Sequence, residues 1–248
     1  LKPPLSLQHL FDQLLETFGP QGWWPTTPSG QSRPRYHPEK KPRRLAEIEQ
    51  WEIMVGAILT QNTSWRNVES ALAALWEEGL MDRHAMSRAS LDHLATTVRP
   101  SGYFNQKAAR LQFLASYIDD HPAGSLGSFL RLPAEELRAE LLSLNGIGPE
   151  TADSMLLYAA QIPRFVVDAY ATRILGRLGL ASADAEYDEL QQVFESALPT
   201  EHELYNECHA LLVRLATTWC KSKPDCEACC LNECCNYFRE QYRKRDDE

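Results

Sequence analysis

The stretch LNGIGPETADSML, residues 144–156, places Gly146 and Gly148 directly before Pro149 and an apolar pattern of helical spacing. Proline suits the first turn of a helix, and the residues before the glycines end another apolar stripe. The sequence therefore predicts two helices joined by a tight turn, in which the glycines let the backbone bend and approach a partner closely. The free N–H groups at the start of the second helix would favour an anion. An ordinary helical hairpin with a glycine cap is the alternative interpretation.

Bulk composition limits the class of protein. The chain has 248 residues and is 44% hydrophobic, which suffices for one large or two modest domains with a packed core. Its longest apolar run, IMVGAIL at residues 53–59, is too short to span a membrane. The N-terminal LKPPLSLQHLFDQLL lacks the apolar block of a signal peptide. We therefore expect an intracellular protein of the cytoplasm or nucleoid, with no membrane partner.

The charge is acidic overall but uneven along the chain. A formal net charge of −9 gives no support to a nucleic-acid partner, because phosphate contacts need cations. Residues 33–44, RPRYHPEKKPRR, carry six Lys or Arg against one Glu. A solvated, Pro-rich connector explains this basic strip equally well.

Apolar residues recur at helical spacing along almost the whole chain. Stripes of this kind occupy residues 7–18, 68–75, 108–118, 137–144, 190–194 and 204–215. No run shows convincing strand alternation, so we predict an all-α fold of roughly ten short helices. The only linker-like stretch is residues 26–42.

Four ordered motifs resemble those of the helix-hairpin-helix DNA glycosylase superfamily that includes endonuclease III. They are GAILTQNTSW (56–65), VRPSGYFNQKAARL (98–111), LNGIGPETA (144–152) and IPRFVVDAYATRIL (162–175). Within the superfamily, these motifs and WWP at residues 23–25 are most similar to the 3-methyladenine DNA glycosylase III branch. The resemblance implies two helical lobes with the active cleft between them. Residues 46–164 would form the lobe with the hairpin, and residues 1–45 with 165–248 the other.

The resemblance further implies an enzyme of base excision repair. Such an enzyme, expected here as a monomer, extrudes a damaged base from double-stranded DNA and cleaves its N-glycosidic bond. Gln61 or Asn62 would fill the gap that the base leaves, and Tyr103 or Phe104 would wedge into the opposite strand. The expected DNA-binding residues of the motifs are Gln61, Asn62, Tyr103, Phe104, Gly146, Gly148 and Thr151. Core packing is the alternative for both aromatic residues.

Two acidic residues carry the expected chemistry. Asp168 lies eighteen residues after Glu150, at the position of the superfamily's catalytic aspartate. A carboxylate beside the sugar stabilises the charge that develops there, and an aspartate at this point also caps a helix. Bifunctional members carry a lysine where this chain has Glu150, and a carboxylate cannot form their Schiff base. The departure implies a monofunctional glycosylase with weak or absent AP lyase activity, although Glu150 also suits a first helical turn.

The expected substrate pocket consists of Trp23, Trp24 and Glu150. Alkylated purines such as 3-methyladenine carry positive charge, and indole faces attract cations. Packing of the first helix against the core is the alternative role of the tryptophans. An endonuclease III-type glycosylase/AP lyase for oxidised pyrimidines, a catalytically weak damaged-DNA-binding protein and a metal-stabilised interaction module are the alternative functions.

Six of the seven cysteines lie within residues 220–235, which indicates a metal site rather than a disulfide scaffold. The predicted ligands are Cys220, Cys226, Cys229 and Cys235. Their spacing of five, two and five resembles the six, two and five of endonuclease III around its 4Fe-4S cluster. Cys234 is the alternative fourth ligand, and zinc the alternative metal. Lys221 and Lys223 are expected either to contact phosphates or to be simply solvated.

Overall fold

The computed structural model of the chain describes residues 6–39, 44–182 and 184–246. These residues form thirteen α-helices and, apart from one antiparallel bridge between Thr26 and Arg35, no β-structure, so the predicted helical class is confirmed. The helices are α1 (Leu7–Phe18), α2 (Glu47–Leu59), α3 (Trp65–Glu77), α4 (Arg83–Arg88), α5 (Leu91–Thr97), α6 (Phe104–Asp120), α7 (Leu126–Phe129), α8 (Ala134–Ser143), α9 (Pro149–Ser154), α10 (Ala169–Leu178), α11 (Tyr187–Ala197), α12 (His202–Thr218) and α13 (Asn236–Asp246). None of these described helices is long and apolar enough to cross a membrane.

Local signals explain where several helices begin and end. In α1, the Ser6 hydroxyl accepts a hydrogen bond from the His9 N–H, and Gly19 ends the helix at a φ of 68°. In α10, Asp168 is the N-cap and Gly179 closes the helix in the left-handed region. All six predicted apolar stripes fall largely or wholly within helices, and most of their residues form the buried face of a helix, although Leu15 in α1 is exposed.

The unit Trp24–Ile162 is built around α2. Every residue of this helix from Trp51 to Leu59 is buried, because α3, α6 and α9 all pack against it. A helix that is apolar all round belongs inside a protein core, and the run at residues 53–59 is such a helix. The final helix of this unit, α9, continues directly into a π-helical turn, Met155–Ala159, which also packs against α2.

The unit boundary differs from the lobes expected from sequence. Residues 24–39 belong with α2 rather than with the N-terminal helix, whereas the second boundary falls at residue 162. The Glu52 carboxylate, fully buried in α2, accepts hydrogen bonds from the Thr27 N–H and hydroxyl and from the Trp76 indole. The expected linker is therefore anchored to α2 at Thr27. Arg33 and Arg35 of the basic strip are exposed, and Lys40, Lys41 and Arg43 lie outside the described residues.

The second unit comprises Leu1–Trp23 and Pro163–Glu248. Its core is aromatic: the Phe165 and Phe194 rings stack with centroids 3.9 Å apart, and Tyr205 meets Phe165 edge-on. Stacked and edge-to-face rings stabilise a core beyond the area that they bury. α12 packs against both α1 and α10, and so fixes the start of α10 within this unit.

In the unit Trp24–Ile162, a buried lysine of α6, Lys107, joins the end of α2 to the segment that precedes α6. Its side chain is 1% exposed, and Nζ donates hydrogen bonds to the carbonyls of Leu59 (2.8 Å) and Ser101 (2.7 Å). Burial, followed by the nearby charge of Arg110, lowers the pKa of Lys107 from 10.5 to about 8. The end of α2 is thereby tied to the loop that precedes α6.

This pKa predicts a pH-dependent difference in stability between the wild type and Lys107→Met. Between about pH 8 and 10.5 the unfolded chain binds a proton at Lys107 that the folded chain does not. The free energy of unfolding of the wild type should therefore rise relative to that of the variant across this range, by up to about 1.4 kcal/mol per pH unit. Urea unfolding at several pH values measures the difference. Parallel curves for the two proteins would contradict the lowered pKa.

Candidate functional site

The glycine turn joins α8 to α9 as the sequence predicts. Gly146 has a φ of 85°, which favours glycine, and a Cβ there would lie 2.0 Å from Nε of Arg110. Gly148 is the N-cap of α9 in an extended conformation, and a Cβ there would meet nothing within 4 Å. Of the two hairpin glycines, only Gly146 is therefore required by the backbone, whereas Gly148 leaves an open, exposed backbone at the helix start.

Gln61 holds the turn after α2 against this hairpin. Its Nε2 donates to the carbonyl of Gly146 (2.9 Å) and to the hydroxyl of Thr151 (3.0 Å), and its Oε1 accepts from Arg110 (2.5 Å). Thr151 is 8% exposed. In this conformation both side chains have partners within the protein, so they position the hairpin rather than project from it.

Asn62, directly after Gln61, and Tyr103, directly before α6, are exposed instead. Both have the left-handed backbone that is uncommon outside glycine, with φ values of 53° and 45°. Tyr103 is 65% exposed, whereas Phe104 is half-buried with the Arg99 guanidinium 5.8 Å from its ring centroid. Unusual backbone geometry held by the surrounding structure often marks a functional site. Lys107 links the segments that carry Asn62 and Tyr103.

In the second unit, Asp168 occupies the start of α10 and combines the two roles considered for it. Its Oδ1 accepts a hydrogen bond from the Ala171 N–H at 2.7 Å, and its side chain remains 15% exposed. Burial by itself raises the pKa of Asp168, but the interaction with His209 and the N–H groups at the start of α10 outweigh it. The pKa therefore lies below its ordinary value, so the carboxylate is ionised at neutral pH.

The aromatic residues of the expected pocket differ in exposure. Trp23 is half-buried, whereas Trp24 is 4% exposed and its indole lies over Gly56 of α2. Trp24 also meets the ring of Trp65 edge-on at 5.4 Å. Trp65, half-buried at the start of α3, is an aromatic residue that the sequence reasoning did not single out. Glu150 is exposed in the first turn of α9.

Two arginines of α10 bind the cysteine loop. Arg173 donates to the carbonyl of Cys220 at 2.9 Å, and Arg177 donates to Cys220 Sγ (3.3 Å) and to the carbonyls of Lys221 and Ser222. The lysines themselves, Lys221 and Lys223, have exposed side chains. The loop is therefore attached to the helix that Asp168 caps.

The loop thiols are neighbours of one another. Burial raises the pKa of Cys226 and of Cys235, and other thiols of the loop, Cys220 among them, raise both further. The described residues contain no group of three His, Cys, Asp or Glu that could hold a single metal ion. A 4Fe-4S cluster differs from such an ion because its four thiolates bind four different irons. Four cysteines on one arginine-bound loop fit the donor set of that cluster.

Comparison with known proteins decides the family. The profile of the HhH-GPD superfamily base excision DNA repair protein matches residues 55–200. The chain belongs to this helix-hairpin-helix superfamily. It is 40% identical over 228 residues to a putative DNA repair glycosylase of Methanocaldococcus jannaschii, covering 91% of this chain and 94% of the relative. The chain is thus a DNA glycosylase of base excision repair.

Two solved structures have the same fold. The first is H. pylori 3-methyladenine DNA glycosylase bound to 1,N6-ethenoadenine, with 26% identity, a TM-score of 0.67, and coverage of 86% of this chain and 98% of that one. The second is a non-covalent endonuclease III–DNA complex with 22% identity and a TM-score of 0.74, covering 96% and 99%. The predicted family and its helical fold are confirmed, and the endonuclease III of the second structure is bound to DNA.

Sequence reasoning did not single out Lys107, Arg110 or His209. Lys107 and Arg110 lie within the motif at residues 98–111, but their partners Leu59 and Gln61 are distant in the sequence. A partial signal existed for Lys107, because it lies one turn before Leu111 on the apolar stripe of α6. For His209 we find no local signal.

The two glycines of the hairpin should respond differently to alanine. Gly146→Ala forces a left-handed alanine and displaces Arg110, so the free energy of unfolding should fall by at least about 1–2 kcal/mol. Gly148→Ala should leave stability unchanged but weaken DNA binding, because its methyl group stands where the backbone N–H groups would meet a phosphate. Urea unfolding and salt-dependent DNA titration measure both variants. Equal stability of the two variants would contradict the role assigned to Gly146.

Proposed function

We propose that this helix-hairpin-helix glycosylase is monofunctional and releases alkylated purines such as 3-methyladenine from double-stranded DNA by hydrolysis. Glu150 carries the proposal: it is exposed in the first turn of α9, where bifunctional members of the superfamily have the lyase lysine. A carboxylate cannot attack the sugar C1′ to form an imine, so water completes the reaction.

The lysines with described side chains support the same conclusion. Lys107 is buried and bonded to two carbonyls, so its amine cannot reach a sugar in this conformation. Lys221 and Lys223 lie on the cysteine loop, far from Glu150 in the sequence. None of the three lies at the hairpin position where bifunctional members have the lyase lysine.

Asp168 supplies the chemistry in this proposal. Cleavage of the N-glycosidic bond leaves positive charge on the sugar, and an ionised carboxylate beside it stabilises that charge. The cap to the Ala171 N–H fixes one oxygen of Asp168, and the partly exposed side chain is accessible to substrate and water. Because an alkylated purine is already a good leaving group, this one carboxylate suffices without a general acid.

Aromatic side chains support the choice of a cationic base. Trp23 and Trp65 are half-buried and present indole surface, whereas the buried Trp24 contacts the ring of Trp65 edge-on. Indole faces attract the positive charge of an alkylated purine. The likeness to a 3-methyladenine DNA glycosylase, at 26% identity, points in the same direction.

The exposed residues of the two loops and of the hairpin would make the contacts with DNA. Asn62 would occupy the gap left by the extruded base, and Tyr103 would wedge into the opposite strand. Their exposure and left-handed backbone support this assignment over Gln61 and Phe104. Gly148 and the start of α9 would bind a phosphate of the backbone.

The cysteine loop would hold a 4Fe-4S cluster through Cys220, Cys226, Cys229 and Cys235. When bound, the cluster supplies a covalent crosslink that fixes the loop. Arg173 and Arg177 support this assignment because they hold the loop to α10 through its carbonyls and the Cys220 thiol. Lys221 and Lys223, both exposed on the loop, would then be available to phosphates.

A set of duplexes tests the reaction. The set contains duplex DNA methylated with dimethyl sulfate and duplexes with one oxidised pyrimidine each, and mass spectrometry identifies the released base. We expect release of 3-methyladenine, with strands that break only after hot alkali. Borohydride should trap no covalent adduct on abasic DNA with the wild type, whereas Glu150→Lys should restore one and Glu150→Gln should not.

Any of three results would overturn the proposal. An adduct between the wild type and abasic DNA would show a lyase amine elsewhere in the chain. Release of oxidised pyrimidines without 3-methyladenine would instead support the endonuclease III-type alternative. An absence of released base from every duplex, with DNA binding retained, would support a damaged-DNA-binding protein.

Iron analysis tests the cluster independently of activity. We expect about four irons and four sulfides per chain, with visible absorption, in protein purified without oxygen. Cys235→Ser should lose most of the iron, whereas Cys234→Ser should retain it. Zinc in place of iron, or iron loss from Cys234→Ser alone, would contradict the assigned cluster or its fourth ligand.

A further inference from the structure

A buried histidine faces the carboxylate at the start of α10. His209, on α12 and 8% exposed, places Nε2 3.6 Å from Oδ2 of Asp168. The other oxygen, Oδ1, accepts the capping hydrogen bond from the Ala171 N–H. The two oxygens of Asp168 therefore have different neighbours, one on its own helix and one on the helix packed against it.

The distance identifies the kind of contact. At 3.6 Å, Nε2 and Oδ2 are farther apart than in a formed hydrogen bond, so the contact in this conformation is electrostatic. Catalytic hydrogen bonds are often long without substrate and shorten in the reacting complex. A histidine that merely filled the core would need no ring nitrogen directed at a carboxylate.

We propose that His209 is a positioning residue for base excision, which controls the charge and orientation of the Asp168 carboxylate through Oδ2, the oxygen that faces it. This inference rests on the proposed role of Asp168. His209 itself is nearly buried, so it acts on the sugar through Asp168 rather than by direct contact. The arrangement resembles other sites in which a third group orients the one that reacts.

The ionisation of Asp168 gives the physical reason for this role of His209. Burial disfavours an ionised Asp168, and the interaction with His209 is the largest of the effects that lower its pKa. Without His209 the capping N–H groups alone would oppose burial, and the carboxylate would take up a proton at higher pH. A protonated Asp168 could not stabilise a cationic sugar.

The surrounding titratable groups have assignable partners or lie on other elements. Glu207 of α12 accepts a hydrogen bond from the Gln21 N–H, and Arg173 of α10 donates to the Cys220 carbonyl. The helices α1 and α10 pack against α12, and the remaining titratable groups of these three helices are His9, Asp12, Glu16, Tyr170, Arg177, His202, Glu203, Tyr205, Cys208 and Arg214. The Cys208 thiol has a pKa raised by burial and then by Glu207 and Asp12, so it stays neutral beside His209.

Three variants test the inference on duplex DNA methylated with dimethyl sulfate. His209→Leu removes the ring nitrogen, His209→Gln retains an N–H donor of similar reach, and Asp168→Asn removes the charge itself. The single-turnover release of 3-methyladenine is measured against pH, together with the Kd for the same DNA. Thermal unfolding of each variant shows whether it is folded.

We expect His209→Leu to slow release by at least about tenfold, with Kd unchanged. Its acid-side half-point should move to higher pH, because Asp168 then protonates more easily. His209→Gln should recover a substantial part of the lost rate. A role in packing alone would leave the pH profile in place, which separates the two explanations.

The outcomes distinguish this inference from the function on which it rests. If Asp168→Asn abolishes release while His209→Leu keeps both the rate and the pH profile, the role of His209 is wrong and the proposed function stands. If Asp168→Asn releases base at the wild-type rate, the proposed function fails and His209 has no catalytic group to position. Should His209→Leu fail to fold, His209→Asn, too short to reach Asp168, takes its place in the same comparison.

Discussion

The helix cap at Asp168 is the interaction on which the proposed chemistry depends. One carboxylate oxygen is bound to the Ala171 N–H, so the side chain cannot rotate away without uncapping α10. The same bond favours the ionised form, because a carboxylate accepts hydrogen bonds from N–H groups better than a neutral acid does. A structural requirement of the helix thus fixes the position and favours the charge of the group that we propose acts on the sugar.

The helix that this cap begins has a second attachment farther along. Arg173 and Arg177, in its later turns, donate to the carbonyls of the cysteine loop, and Arg177 also lies over the ring of Tyr237 on α13. α12 packs along the same helix and brings His209 to its start. The loop, the histidine and the cap therefore constrain one short helix at both ends, which limits the positions that Asp168 can adopt.

In the unit Trp24–Ile162, the side chains of Gln61 and Lys107 hold separate segments together by hydrogen bonds. Gln61 joins the turn after α2 to the hairpin, and Lys107 joins the same region to the loop before α6. With these two side chains engaged inward, Asn62 and Tyr103 keep their left-handed backbone and their exposure. Hydrogen bonds to a buried ammonium are strong and are costly to lose, so the two loops are held together.

The sequence by itself determined the helical class, the glycine turn, the cap at residue 168 and the family, because each depends on residues close together in the chain. Apolar stripes indicate a buried helical face, and a glycine at position 146 indicates a backbone with positive φ. Only the tertiary structure decided that Gln61 and Thr151 bind each other, that Trp24 is buried, and that residues 24–39 pack on α2. It alone brought His209 to Asp168, 41 positions earlier in the chain. Such contacts depend on how helices pack, and a single sequence has no local pattern that reports it.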